Sequence, residues 1–330
     1  MAGGQERILR RRIKSVESTK KITRAMELIS ATRVVKAQER AAAARPYSEQ
    51  ITSVILDLVR AGAGKDHPLL RDNPDARTAA FIVVTSDRGL CGGYNSSVIR
   101  MAEREILARQ AEGRDYSLIV VGTKGEQYFR FRNYRIDASF GGITDRPTYE
   151  DARQVAAAVR ERFESGDLAT VDLAFTRYIN SAAQEAVLRR FLPLEVEVEG
   201  DGGTTEPAGP SADLEYEPSP SGILDQILPR YVESRIFSAL LDASASEHAA
   251  RQRAMKAATD NAEELKTKLT RIMNRARQDS ITTEIMEIVS GAEALKNDKG
   301  GSEDLLLEHL TPSHAFAQNL DQSDHLASRH

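Results

Sequence analysis

Residues 230–290 read RYVESRIFSALLDASASEHAARQRAMKAATDNAEELKTKLTRIMNRARQDSITTEIMEIVS, sixty-one residues without a glycine or a proline. Good helix formers dominate the stretch, which predicts a single very long helix. At the α-helical rise it would reach roughly 90 Å, about three times the width of a small domain. Within it Met255, Ala258, Ala262, Leu265, Leu269, Ile272 and Ala276 alternate spacings of 3 and 4, which makes three heptads of a coiled-coil seam. A stripe at this spacing is a packing surface. Its neighbours Asp260, Glu263, Glu264, Lys266, Lys268, Arg271 and Arg275 are charged, so the helix needs one partner helix and stays wet elsewhere.

The partner is predicted at the other end of the chain. Gln5 to Arg45 is a second stretch free of Gly and Pro, with a less regular apolar stripe of Ile13, Val16, Ile22, Met26, Ile29 and Val34. A chain that leaves along one helix and returns along the other pairs them antiparallel. Arg45-Pro46 is expected to kink or end the first helix, with Tyr47 to Ala61 resuming it up to Gly62. The two helices are thus placed at 1–61 and 222–291.

Between them the periodicity changes. Phe81 to Thr85 is a short apolar run, Ser96 to Ala111 has helical character, and Tyr116 to Val121 is a second apolar run closed by Gly122. Strand, helix, strand is a βαβ unit. Gly125 to Arg132 and Tyr149 to Phe163 read as helices, and Val171 to Tyr178 as a strand. Ala186 to Leu192 and Leu194 to Val198 read as further strands or one extended strand. The fold class is therefore α/β: a central Rossmann-like domain over 76–199, with a mostly parallel sheet, carried by a long antiparallel coiled coil. Residues 200–221 form an acidic Gly- and Pro-rich loop, and 296–330 a polar tail without periodicity that is expected to be disordered.

Composition excludes several classes. No apolar run approaches the roughly 18 residues that span a bilayer, and no apolar segment follows Arg10, Arg11 and Arg12, so neither a membrane span nor a signal peptide is expected. Cys91 is the single cysteine, which rules out an internal disulfide. The net charge of −4 is uneven: residues 1–60 carry thirteen Lys and Arg against six acids, whereas 199–217 hold six acids and no base. A basic end suits an acidic partner, whether nucleic acid, lipid head groups or a protein cavity, or else forms a solvated helix face. Nucleic acid fits poorly, because the helix has no interleaved aromatics and carries Glu17, Glu27 and Glu39.

Little in the chain reads as chemistry. The turn Ser86 to Asn95 is Gly-rich and follows the first strand, where a nucleotide fold would hold phosphate, yet it has neither Gly-x-Gly-x-x-Gly nor Gly-Lys-Ser/Thr. Its glycines are read as permitting a tight strand-to-helix turn, and Cys91 has no neighbouring His to make it a nucleophile. Four of the six histidines (His309, His314, His325, His330) lie in the tail, where no fixed metal geometry is expected. No catalytic residue, cofactor or metal ligand is predicted.

Five segments carry a family resemblance. Arg12–Ala31 (RIKSVESTKKITRAMELISA), Thr85–Gly93 (TSDRGLCGG), Met255–Ala262 (MKAATDNA), and Ala276–Ile285 (ARQDSITTEI) with Glu287–Ala292 (EIVSGA) resemble the gamma subunit of F-type ATP synthases, over about residues 2–295. The resemblance implies a rotor shaft: a coiled coil inside a hexamer of alpha and beta subunits, with the α/β domain standing on the c-subunit ring beside the epsilon subunit. Rotation of the proton-driven ring would cycle the catalytic beta subunits, and the chain would have no catalytic site of its own. By position, Met26 is implied near a beta-subunit lever loop, and Arg251, Arg277, Gln278, Thr282 and Glu284 at beta-subunit contacts. Tyr216 and Glu217 match the foot near epsilon and the c ring, while Asp87, Gly89, Gly92 and Gly93 form a structural turn. Attachment to the cytoplasmic face of a bacterial plasma membrane follows only through the complex. A shaft that turns in a bearing is further expected to have a mostly polar and small-residue exterior. The long acidic loop and the tail depart from the family pattern.

Two other classes compete with the shaft. An enzyme or nucleotide sensor would use the βαβ unit and bind ATP or NAD alone, and a self-associating scaffold would form a homodimer.

Overall fold

A computed structural model describes residues 2–60, 63–64, 67–194 and 219–297. The order is α1 (Ala2–Arg60), β1 (Thr78–Val84), α2 (Tyr94–Ala111), β2 (Asp115–Val121), α3 (Thr123–Phe131), β3 (Ala138–Phe140), α4 (Tyr149–Glu164), β4 (Leu168–Tyr178), β5 (Gln184–Leu192) and α5 (Pro220–Asn297). The chain divides into two compact units. Residues 14–266 form one, and the described residues of 1–13 and 267–297 belong to the other.

In the larger unit the five strands lie in the order β3-β2-β1-β4-β5, with only β4 and β5 antiparallel. β1 and β2 are apolar at consecutive positions because both faces of the sheet are covered. Ala80, Ile82 and Val84 point into one core with Val155, Val159 and Phe163 of α4, and Val232, Ile236 and Leu240 of α5. Ala79, Phe81 and Val83 point the other way, onto Val98, Ile99 and Ile106 of α2 and Phe129 of α3. Each such side chain, removed from water, contributes about 2 kcal/mol. Thr148 starts α4 with a capping box: its Oγ1 accepts from the Asp151 amide while the Asp151 carboxylate accepts from the Thr148 amide.

The structure corrects several expectations. Pro46 neither ends nor divides α1, which continues to Arg60. A proline inside a helix costs about 3 kcal/mol. Downstream, Ile51, Ile55 and Leu58 are buried in the α4/α5 core, and at about 2 kcal/mol each they outweigh it. Helix α5 likewise begins before residue 222 and passes Gly291 to reach Asn297, so the expected tail starts inside the helix. Ser219 precedes it and accepts the Gly222 amide on Oγ at 3.1 Å. β3 was not expected, and Leu194 lies outside any strand. The expected strand residues beyond Leu194, nearly all of the acidic loop, and the tail past Asn297 lie outside the described residues.

The antiparallel pairing holds in the larger unit. Lys266 faces Glu17 at 3.7 Å, Lys20 pairs with Glu263, and Thr259 Oγ1 donates to Thr23 Oγ1 at 2.8 Å. The seam keeps Val16 and Val34 of the α1 stripe and Met255 and Ala262 of the α5 stripe but departs from the rest. On α1 the positions turned inward are Val16, Lys20, Thr23, Glu27, Ser30, Val34 and Ala37, spaced alternately by 4 and 3, while Ile22 and Ile29 are 61% and 52% exposed. On α5 the seam runs through Met255, Thr259 and Ala262, and Leu265 is 46% exposed. Thr23 and Thr259 meet across the seam, while Ser30 Oγ donates to Met26 O of its own helix at 2.8 Å. That geometry turns the larger apolar residues outward.

In the smaller unit, Leu9 of α1 is buried and Leu269, Met273 and Ala276 of α5 are half-buried, whereas Ile272 is exposed. From Ile281 onward α5 exposes Ile281, Ile285, Met286, Ile288, Val289 and Leu295. A mostly polar and small-residue exterior was expected, and it describes residues 256–280 better than this apolar collar.

Candidate functional site

The carboxyl ends of β1 and β2 are where an open α/β sheet offers a crevice to ligands. Here the crevice is laced shut. Thr85, the residue after β1, donates from its amide and from Oγ1 to Val121 O at 2.7 and 2.9 Å, and accepts the Gly125 amide on Oγ1 at 2.9 Å. This closeness demands glycine at position 122: its φ is +98°, and a Cβ there would lie 2.4 Å from Thr85 O.

Asp87 ties three loops together. Its Oδ1 accepts from the Thr123 amide, Thr123 Oγ1 and the Gly142 amide at 3.1, 3.0 and 2.8 Å. Its Oδ2 accepts from the Thr144 amide and Oγ1 at 3.0 and 2.9 Å. Burial pushes the Asp87 carboxyl up, but the five donors outweigh it and hold it below the ordinary range. Leu90 and Gly92 both take left-handed backbone, and Gly93 caps α2 without a side-chain bond. The turn is therefore held from within; of its glycines Gly92 takes left-handed backbone, whereas Gly89 and Gly93 do not and have room for a Cβ.

Helix α5 closes the crevice from above. Arg251 donates from Nη2 to Arg88 O at 3.1 Å and to Glu247 Oε1 at 2.6 Å, and from Nε to Gly89 O at 3.2 Å. Tyr94 Oη donates to Ala243 O at 3.2 Å. Arg251 is 6% exposed and Glu247 and His248 are 1% exposed. Burial pushes the Glu247 carboxyl up against the pull of Arg251. Burial lowers His248 to about 4, so its ring is neutral at pH 7, with Nε2 3.3 Å from Asp145 O. Burial raises the Cys91 thiol against the pull of Ser86 and Arg251, which disfavours the thiolate.

The predicted site residues thus separate. Arg251 joins the turn of Asp87, Gly89, Gly92 and Gly93, and its guanidinium is spent within the chain, which sets it apart from the surface contacts it was grouped with. Met26 is half-buried on α1. Arg277, Gln278, Thr282 and Glu284 are exposed on the part of α5 in the smaller unit, with Ser280 Oγ 3.4 Å from Glu284 Oε1. Tyr216 and Glu217 lie outside the described residues. Sequence reasoning missed Glu247, His248, Thr144 and Asp145. The one available signal was Glu247 four residues before Arg251, a spacing that usually marks a solvated helix face. Among the described residues no group of three or more His, Cys, Asp or Glu could hold a metal ion, and no helix is long and apolar enough to cross a membrane.

A sheet whose ligand crevice is occupied by its own terminal helix, on a pair of antiparallel helices with polar seams, defines an α/β protein organised around a helical stalk. Known proteins share this arrangement. The ATP synthase family model matches residues 5–295. The ATP synthase gamma chain of Frankia casuarinae is 51% identical over 298 residues, covering 88% of this chain and 98% of the relative. That of Streptomyces coelicolor is 45% identical over 306 residues, covering 91% and 99%. The chain belongs to the ATP synthase gamma chain family. The fold also matches a chain in the Euglena gracilis mitochondrial ATP synthase OSCP/F1/c-ring structure, with TM-score 0.61 and 18% identity, covering 92% of this chain and 98% of that one. A chain of the Tetrahymena thermophila ATP synthase central stalk/c-ring structure matches with TM-score 0.54 and 21% identity, covering 72% and 99%.

Proposed function

We propose that this chain is the central rotor shaft of a bacterial ATP synthase, transmitting rotation of a proton-driven c ring to the catalytic beta subunits. The observation that carries the reading is the pair of long antiparallel helices with α5 fastened to the α/β domain through Arg251; beside it stand apolar residues outside the seam, where a turning shaft was expected to be mostly polar. Ile22 and Ile29 on α1 and Leu265 on α5 face away from the partner helix, and α5 ends in an apolar collar from Ile281 to Leu295. Such surfaces call for a surrounding protein sleeve. Met26, Arg277, Gln278, Thr282 and Glu284 would meet beta-subunit loops, and Tyr216 and Glu217 would lie in the foot by epsilon and the c ring. Arg251 would act from inside, by locking α5 to the α/β domain so that torque passes between them. The chain would perform no chemistry of its own and would reach the cytoplasmic face of the membrane through the complex alone.

Co-expression with actinobacterial alpha and beta subunits tests this. One copy per hexamer by native mass, with ATPase activity that requires it, is the expected result. A chain that stays apart as a homodimer contradicts it.

A further inference from the structure

A cavity of about 550 Å³ opens between α1, the loop after β3 and α5. Arg33, Lys36 and Arg40 reach it from α1 at spacings of 3 and 4, which puts them on one helix face, and Arg146 reaches it from the loop. Among the described residues Glu39 and Asp145 are the only carboxylates lining it, against four cations. Asp145 is already engaged by Arg33. Among the described residues neither Lys36, Arg40 nor Arg146 has a carboxylate at ion-pair distance. Arg40 spends its Nε on Lys36 O at 3.2 Å, yet its Nη1 is buried without any partner. Burial and the neighbouring Arg146 lower the Arg40 pKa, and Asp145 offsets them only in part.

We propose that this cavity is a binding site for a soluble phosphorylated anion, a free phosphate, a diphosphate or a nucleotide diphosphate tail. An anion of two charges cancels the excess, and phosphate oxygens accept the forked donors of Arg40 and Arg146 while Lys36 supplies a point charge. His248, neutral and fixed on Asp145 O, forms a wall that adds no opposing charge. The volume falls within the usual range of small-ligand sites. Lys36 stands seven residues after Ile29 on α1, so the cavity adjoins the apolar surface invoked for the sleeve, and it stands whether or not the shaft reading holds.

The test is calorimetric titration of the full chain with inorganic pyrophosphate, ADP and inorganic phosphate at constant ionic strength, against sodium chloride. Saturable one-to-one binding is expected. Arg40→Ala should weaken it at least tenfold, and so should the surface double variant Lys36→Ala/Arg146→Ala, which decides the matter if Arg40→Ala fails to fold. Pyrophosphate binding without ADP binding identifies a free anion, and equal binding of both identifies a diphosphate tail. Binding no different from chloride, or undiminished in the folded double variant, overturns the proposal. So does binding of an oligoglutamate peptide but of no phosphate, which would make the cavity a protein-facing surface.

Discussion

Gly122, between β2 and α3, has no room for a side chain. With φ of +98° and Thr85 O where a Cβ would stand, Gly122→Ala should cost about 3 kcal/mol or more, read as a fall in melting temperature. Asp87→Ala leaves five donors without their acceptor, and a loss of about 2–4 kcal/mol is expected by denaturant unfolding. Because its folded pKa is depressed, the Asp87 contribution is complete above the ordinary value of 3.8 and is lost as pH falls below it. Asp242 behaves oppositely. Burial raises it to about 6 despite Arg45, Arg177 and Arg189, so the folded state holds its proton more tightly than the unfolded chain. Asp242→Asn should therefore stabilise the chain at pH 7, with the advantage fading between pH 6 and pH 4; an advantage that grew on acidification would contradict the assignment. The structural character of the Gly-rich turn was legible because the phosphate-binding residues of known loops are missing from it. Glu247, buried against Arg251, was not, since nothing local distinguishes a buried i,i+4 pair from an exposed one.

At the scale of elements, both long helices could be read from the spacing of Gly and Pro, and the strands from apolar runs bounded by turns. The seam could not. Alternating 3 and 4 spacings admit neighbouring registers, and the larger apolar residues suggested a stripe through Ile22, Ile29 and Leu265, whereas packing selected Thr23, Ser30 and Thr259. Long-range contacts decided this, as they did for Pro46, which is held in α1 by Ile51, Ile55 and Leu58. Pro46→Ala should restore a helical hydrogen bond and stabilise the chain by about 1–3 kcal/mol, measured by chemical unfolding. The double substitution Ile22→Ser/Ile29→Ser should leave the melting of the isolated chain nearly unchanged, since both side chains are exposed, and should lower the ATPase activity of the assembled complex. A large loss of stability in the isolated chain would show that they pack internally after all.

For the molecule at work, stiffness and attachment matter more than any single pocket. Neither residues 14–37 of α1 nor residues 247–266 of α5, which carry the Lys20–Glu263 pair, include a glycine or a proline, so the paired segment has no intrinsic hinge. Arg251, Glu247 and Tyr94 fasten α5 to the turn at the head of the sheet, so force on the helix is delivered to the α/β domain. The measurement that bears most directly on this is single-molecule rotation. The complex with alpha and beta subunits is immobilised through beta, in a Cys91→Ala background, with a marker coupled to Leu107→Cys on the exposed side of α2. On addition of ATP the marker should turn continuously in one direction. An ATPase-active complex whose marker stays still would contradict the shaft.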